Sequence, residues 1–272
     1  MKVLKIFPRK TQATPIDENV VINRMPNLFD KADQIRISVA FTWDIPRAEK
    51  LYKMWSGVAP VLIGGPAFNE VGKEFEPGMY LKEGYTITSR GCPNKCWFCS
   101  VWKREQGVRE LPIKPGFNIV DDNLLACSDH HIKSVFTMLR MQKEPILLTG
   151  GIEAKLLKDW HLDWLDMIRL KRLYCAYDTP DDYEPLVEAG KILKRINITM
   201  ENRKAACYVL IGYPNDTMDK ALKRIHQTIQ AGFFPFAMLW RNEKGEYRRE
   251  WKQFQRLWAN PIITATSIKK IT

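Results

Sequence analysis

From residue 36 onward, short apolar runs alternate with helical stripes, whereas residues 1–34 read as irregular and polar, punctuated by Pro8, Pro15 and Pro26. Arg36-Ile37-Ser38-Val39-Ala40 has the alternation of a strand. Ile45 to Trp55 has helical spacing, and Ala59 to Gly64 reads as a second strand closed by the Gly64-Gly65-Pro66 turn. Together they predict a short β-α-β unit. A loop rich in Gly and Glu, residues 70–83, separates it from a longer series.

That series has strands predicted at 85–88, 117–120, 146–149, 173–177, 207–211 and 234–239. Helices are predicted over about 129–142, 156–170 and 182–195. A further helix has Met218, Leu222, Ile225 and Ile229 on one face, Asp216 or Thr217 as its cap, and Gly232 as its stop. Pro235 predicts an early or edge position for the last strand. Six strands in βα rhythm imply an α/β fold with a parallel sheet. They are fewer than the eight of a closed barrel, so the expected architecture is a partial (βα)6 TIM-type barrel with a short N-terminal α/β appendage. The expected divisions are 1–83, 84–240 and a basic, aromatic segment, 241–272.

The 272 residues are 45% hydrophobic and 11% aromatic, enough for a sizeable core and against general disorder. No apolar run approaches the ~20 residues that span a bilayer, and no signal-peptide core opens the chain. The expectation is a cytoplasmic protein without a membrane partner. The net charge is +11, and residues 241–272 hold eight Lys and Arg against three Glu. There Trp251, Phe254 and Trp258 recur at helical spacing with Lys252 and Arg256 between them. Such a stripe can stack bases and hold phosphates, or it can face a core.

Six cysteines are too few for a secreted disulfide scaffold. Cys92, Cys96 and Cys99 fall within eight positions, in Gly-Cys-Pro-Asn-Lys-Cys-Trp-Phe-Cys, directly after a predicted strand. Three thiolates from one loop can hold three irons of a cubane cluster and leave the fourth open. Structural zinc would need a fourth ligand, from Cys127, His130 or His131 about 30 residues away.

The spacing, with Trp97 at the aromatic position, resembles the CxxxCΦxC signature of the radical SAM enzymes. The resemblance covers residues 85–240 well. It implies a [4Fe-4S] cluster on Cys92, Cys96 and Cys99, and S-adenosylmethionine chelated to the fourth iron. It also implies cleavage to a 5′-deoxyadenosyl radical that abstracts a substrate hydrogen, fed by an electron donor such as flavodoxin or ferredoxin. Trp97 and Phe98 would lie beside the cofactor.

By strand order the methionine amino group falls to Asp121, Asp122 and Asn123, although a literal Gly-Gly-x-Glu stands one strand later, at Gly150 to Glu153. Tyr177 and Asp178 fall at the ribose position, and Ile211 and Gly212 at the adenine position. Cys127 is a candidate ligand or hydrogen-atom donor, whereas Cys175 and Cys207 sit in apolar strands as small hydrophobes.

Residues 36–66 weakly resemble a remnant of the cobalamin-binding domain that precedes many of these barrels. There is no Asp-x-His-x-x-Gly, and histidines occur only at 130, 131, 161 and 226, so no histidine ligation of cobalamin is expected there. The expected substrate is a nucleic acid or nucleotide, with a small metabolite or peptide as the alternative. A non-catalytic, metal-stabilised nucleic-acid-binding module is the reading from another class.

Overall fold

In the computed structural model, which describes residues 1–68 and 73–269, the chain divides into two units: Met1–Tyr85 with Glu243–Gly245, and Thr86–Asn242 with Glu246–Thr272. The first three positions of the expected 70–83 loop and the last three of the basic segment lie outside the described residues.

Residues 1–34, expected to be irregular, contribute two strands to the first unit. β1 (Val3–Phe7) and β2 (Val20–Ile22) join β3 (Gln34–Ser38) and β4 (Val61–Gly64) in a four-stranded sheet, ordered β2-β1-β3-β4, with every pair parallel. β1 alternates half-buried and buried residues, because its Leu4 and Ile6 enter the core while Lys5 points out to Asp17. Helix α1 (Ile45–Trp55) starts with a proline in its first turn, where the missing N–H costs nothing. It buries Ala48, Leu51 and Trp55 against Ile35, Ile37 and Val39.

The second unit begins within β5 (Tyr85–Thr86). A two-stranded antiparallel ribbon follows, β6 (Ser89–Arg90) with β7 (Arg109–Glu110), and helix α2 (Val101–Arg104) lies within its loop. The repeating part is β8 (Asn118–Ile119), α3 (Asp129–Arg140), β9 (Ile146–Leu148), α4 (Asp159–Asp166), β10 (Leu170–Tyr177), α5 (Tyr183–Lys194), β11 (Ala205–Ile211), α6 (Met218–Gln230) and β12 (Phe234–Leu239). The sheet order is β12-β11-β10-β9-β8-β5, and the pairs from β8 through β12 are parallel. β12 is an edge strand, where Pro235 removes the fewest ladder bonds.

Helix α4 is shorter than its pattern. His161 Nδ1 accepts the Lys158 N–H at 2.8 Å and sets its start, while Arg169 and Leu170 are drawn into pairing beside β9. Thr217, not Asp216, caps α6, accepting the Lys220 N–H at 3.3 Å.

Strand parity divides the sheet into two faces. Cys175 and Tyr177 on β10, and Cys207, Val209 and Ile211 on β11, are buried; the Tyr177 hydroxyl donates to Gln227 of α6 at 2.8 Å, which marks this as the helix-covered face. Tyr174, Ala176, Tyr208, Phe236 and Met238 lie on the other face. Tyr174 and Tyr208 stack there at 4.4 Å, with Phe236 edge-on to both. Ala176, in a central strand, and Met238 are exposed.

The final helices, α7 (Trp251–Ala259) and α8 (Pro261–Ile268), pack into the same core rather than forming a separate surface module. Trp251 and Trp258 are 1% and 5% exposed and Phe254 packs against that core, so the aromatic stripe faces inward and is not a base-stacking surface. Among the described residues no helix is long and apolar enough to cross a membrane.

Candidate functional site

The strand ends of the second unit converge on the loop between β6 and β7 that carries the three close-spaced cysteines. Gly91 opens that loop at φ +91°, and a Cβ there would lie 1.8 Å from the Gly107 carbonyl oxygen. Only glycine lets the two ends of the loop meet so closely. The segment after β8 anchors the same end. Buried Asp121 accepts the Thr88 N–H at 2.6 Å, the Thr88 hydroxyl at 2.5 Å and the Ser89 hydroxyl at 2.9 Å. Asp122 accepts the Gly91 N–H at 2.9 Å and pairs with Arg90 at 3.2 Å. Both carboxylates therefore hold the entry of the loop through hydrogen bonds.

Cys92, Cys96 and Cys99 are free thiols, half-buried. The Trp102 indole N–H donates to the Cys96 carbonyl at 2.9 Å, and the Val101 N–H points to Cys99 Sγ at 3.5 Å. Burial raises the Cys96 thiol pKa, and Cys99, Cys92, Asp178 and Asp182 push it further. Burial likewise raises Cys99, against the Val101 N–H and with Cys92 adding to it. The three sulfurs thus share one electrostatic neighbourhood. Among the described residues, no group of three or more His, Cys, Asp and Glu is arranged to hold a metal ion.

Asn123, the fourth residue after β8, is different from the two carboxylates before it. The Asn123 amide donates to Cys92 Sγ at 3.4 Å and to Glu153 Oε2 at 2.7 Å, while its Oδ1 is buried without a partner. The Glu153 contact fixes which end of the amide is the nitrogen, since two acceptors would repel. Glu153, the acid of the Gly-Gly-x-Glu run, is thus joined to Cys92 through the Asn123 amide. Gly150 makes this approach possible, because a Cβ there would sit 2.3 Å from the Asp121 carbonyl oxygen.

Asp178 stands at the end of β10, where its charge reaches Cys96. Burial, with the neighbouring Asp182 carboxylate, lifts its pKa to about 7. Trp97 is 53% exposed and packs edge-on to Phe98 at 5.3 Å and Tyr213 at 5.5 Å, with Trp240 at 6.5 Å. Tyr213 and Trp240 follow β11 and β12, and neither was singled out from sequence. Aromatic residues immediately beyond strand ends were the available signal.

Several expected site residues face elsewhere. Tyr177 lies on the helix-covered face, its ring beside Tyr183 and its hydroxyl spent on Gln227. Ile211 is fully buried in the core. Gly212 has φ +75° and permits a close approach, but to Leu239 and Trp251 rather than to open space; its N–H is held by Asp216 at 2.8 Å. Cys127 is a core residue whose buried thiol is pushed up to about 11, not a residue of the mouth. A period of two in a strand decides all such directions, and one residue of offset reverses them.

No protein-family model matches the chain, and no curated protein matches its sequence.

Proposed function

We propose that this protein is a radical SAM enzyme acting on a small molecule, its second unit being a partial (βα)6 barrel with the cysteine loop at the strand ends. The observation that carries the reading is Asn123, which bridges a cysteine sulfur and the Glu153 carboxylate and leaves a buried acceptor unfilled. A buried acceptor without a donor is costly, so this one calls for a ligand N–H. The donor set also fits. Three thiols on one loop are the ligand set of a cubane with one open iron, whereas structural zinc takes four ligands.

When bound, a [4Fe-4S] cluster with S-adenosylmethionine supplies reductive cleavage of the sulfonium and a 5′-deoxyadenosyl radical, with flavodoxin or ferredoxin as the class of electron donor. Cys92, Cys96 and Cys99 would hold the iron as thiolates. Glu153 and Asn123 Oδ1 would accept from the methionine ammonium. Trp97, Tyr213 and Trp240 pack together at the cysteine loop, and the Asp178 charge reaches Cys96.

The other face of the sheet has Ala176 and Met238 exposed among Tyr174, Tyr208 and Phe236, with the Arg172 guanidinium 3.5 Å from the Tyr174 hydroxyl. Its aromatic rings suit a planar small molecule. The aromatic stripe that favoured nucleic acid is buried in the core. Sequence positions 1–85 and 243–245 contain no histidine, so the first unit offers none to cobalamin.

Anaerobic reconstitution with iron and sulfide, then S-adenosylmethionine and a reductant, should yield 5′-deoxyadenosine, and Cys96→Ala should abolish the yield. No 5′-deoxyadenosine, or zinc without iron or sulfide in the purified protein, would overturn the reading and favour a metal-stabilised binding module.

A further inference from the structure

We propose that Arg224 is a positioning residue for the cysteine loop, acting through the Tyr213 hydroxyl on the ring of Trp97. Arg224 lies on α6 and is 6% exposed. One guanidinium nitrogen donates to Asp216 Oδ2 at 2.7 Å and to the Leu210 carbonyl at 2.9 Å; the other donates to the Tyr213 hydroxyl at 3.1 Å. The guanidinium carbon is also 5.1 Å from the Tyr213 ring centre. Asp216, equally buried, accepts the Gly212 and Thr217 N–H groups at 2.8 and 3.1 Å.

Stability does not explain this arrangement well. A buried ion pair often does no better than an apolar pair of the same volume, because both charges lose their water. Here one Arg224 nitrogen, Nε, is buried without a partner, which adds to the cost. The arrangement instead supplies direction. Five hydrogen bonds tie together the end of β11, the turn through Tyr213 and the start of α6, so the Tyr213 ring has little freedom.

Trp97, by contrast, is more than half exposed, and its ring contacts are Phe98, Tyr213 and Trp240. Phe98 moves with the same loop. External support for Trp97 therefore comes from Tyr213, which Arg224 holds, and from Trp240. The planar fork of arginine makes the three contacts at once; a lysine ammonium can keep the charge pair but not the geometry. The consequence for catalysis rests on the radical SAM reading, since Trp97 adjoins the cluster-binding Cys96.

The positioning itself is tested on the protein without cluster. The Trp97 signal is taken as the difference in fluorescence between the protein and its Trp97→Phe variant, each also made in the Tyr213→Phe and Arg224→Lys backgrounds. Both substitutions should raise acrylamide quenching of that signal about twofold with unchanged far-ultraviolet circular dichroism. The Tyr213→Phe/Arg224→Lys pair should add little beyond either alone, because both act along one chain of contacts.

Unchanged quenching in Tyr213→Phe overturns the proposal. That variant keeps its ring and decides the matter alone if Arg224→Lys does not fold. In the reconstituted enzyme, both variants should raise KM for S-adenosylmethionine several-fold more than they lower kcat, and an equal fall in kcat alone overturns the catalytic consequence. Failure of the radical SAM reading shows separately, as absence of 5′-deoxyadenosine from the unaltered protein, and leaves the fluorescence result standing.

Discussion

Asp121 and Thr88 are bonded twice: the Thr88 N–H and the Thr88 hydroxyl both donate to the Asp121 carboxylate, at 2.6 and 2.5 Å. With the Ser89 hydroxyl at 2.9 Å, this buried carboxylate ties the end of β8 to the entry of the cysteine loop. Thr88 and Ser89 thereby place Gly91 and Cys92 rather than leaving them on a free loop.

Removal of that anchor should be costly. Asp121→Ala leaves three buried donors without an acceptor, and hydrogen bonds to a charged group are each worth about 1.5–3 kcal/mol. Urea denaturation should show a loss of at least about 3 kcal/mol, with Asp121→Asn losing less. A loss within 1 kcal/mol would mean that water replaces the carboxylate.

Glu153 should matter to ligand affinity and not to metal content. Glu153→Gln should weaken S-adenosylmethionine binding about tenfold, roughly 1.4 kcal/mol, since the ammonium loses its charged acceptor. Iron and sulfide per chain should stay the same. Equilibrium dialysis beside metal analysis checks both halves, and a fall in iron with no change in affinity would reverse the assignment.

Gly212 should tolerate no side chain, for packing reasons. At φ +75° a Cβ would lie 2.8 Å from Leu239 Cδ1 and 3.0 Å from the Trp251 ring. Left-handed backbone and overpacking together predict a loss of about 2–4 kcal/mol in Gly212→Ala. Co-substitution of Leu239→Ala should recover part of it, read as a shift in the denaturation midpoint.

His161 should make stability fall in mild acid. It is 1% exposed, and burial, with the Lys158 charge adding to it, lowers its pKa from 6.5 to about 4. Below pH 6.5 the unfolded chain takes up a proton that the folded chain refuses, so the unfolded state binds more protons and stability rises with pH. The contribution is complete above pH 6.5 and is lost between pH 6.5 and about 4, up to roughly 3 kcal/mol. His161→Leu should flatten that part of the stability profile, and denaturation at pH 7, 6, 5 and 4.5 measures it.

Much of the fold could be read from local pattern where one element carries its own signals. Helix α1 spans Ile45–Trp55 as its spacing predicts, and the six strands expected from residue 85 occur in order, with the unexpected ribbon β6-β7 between the first two. β1 and β2 were missed because each is short and takes its partners from elsewhere in the chain, as with Val3 opposite Gln34 and Lys5 opposite Val20.

The site was legible by position and much less by direction. Asp121, Asp122 and Asn123 do lie at a strand end beside the cysteine loop, but only Asn123 turns toward Cys92. Gly212 signals a close approach without saying what approaches, and Trp251, nearly 40 residues on, is what fills the space. Tyr213 and Arg224 have no meaning for Trp97 until α6 is folded against β11.

The amide of Asn123 also has a consequence for how charge travels. Its two hydrogens point at Cys92 and at Glu153, so a sulfur that gains negative charge pulls the amide dipole toward itself and loosens its hold on the carboxylate. A change of charge at Cys92 would then show one side chain away, in the carboxylate stretching frequency of Glu153 in difference infrared spectra.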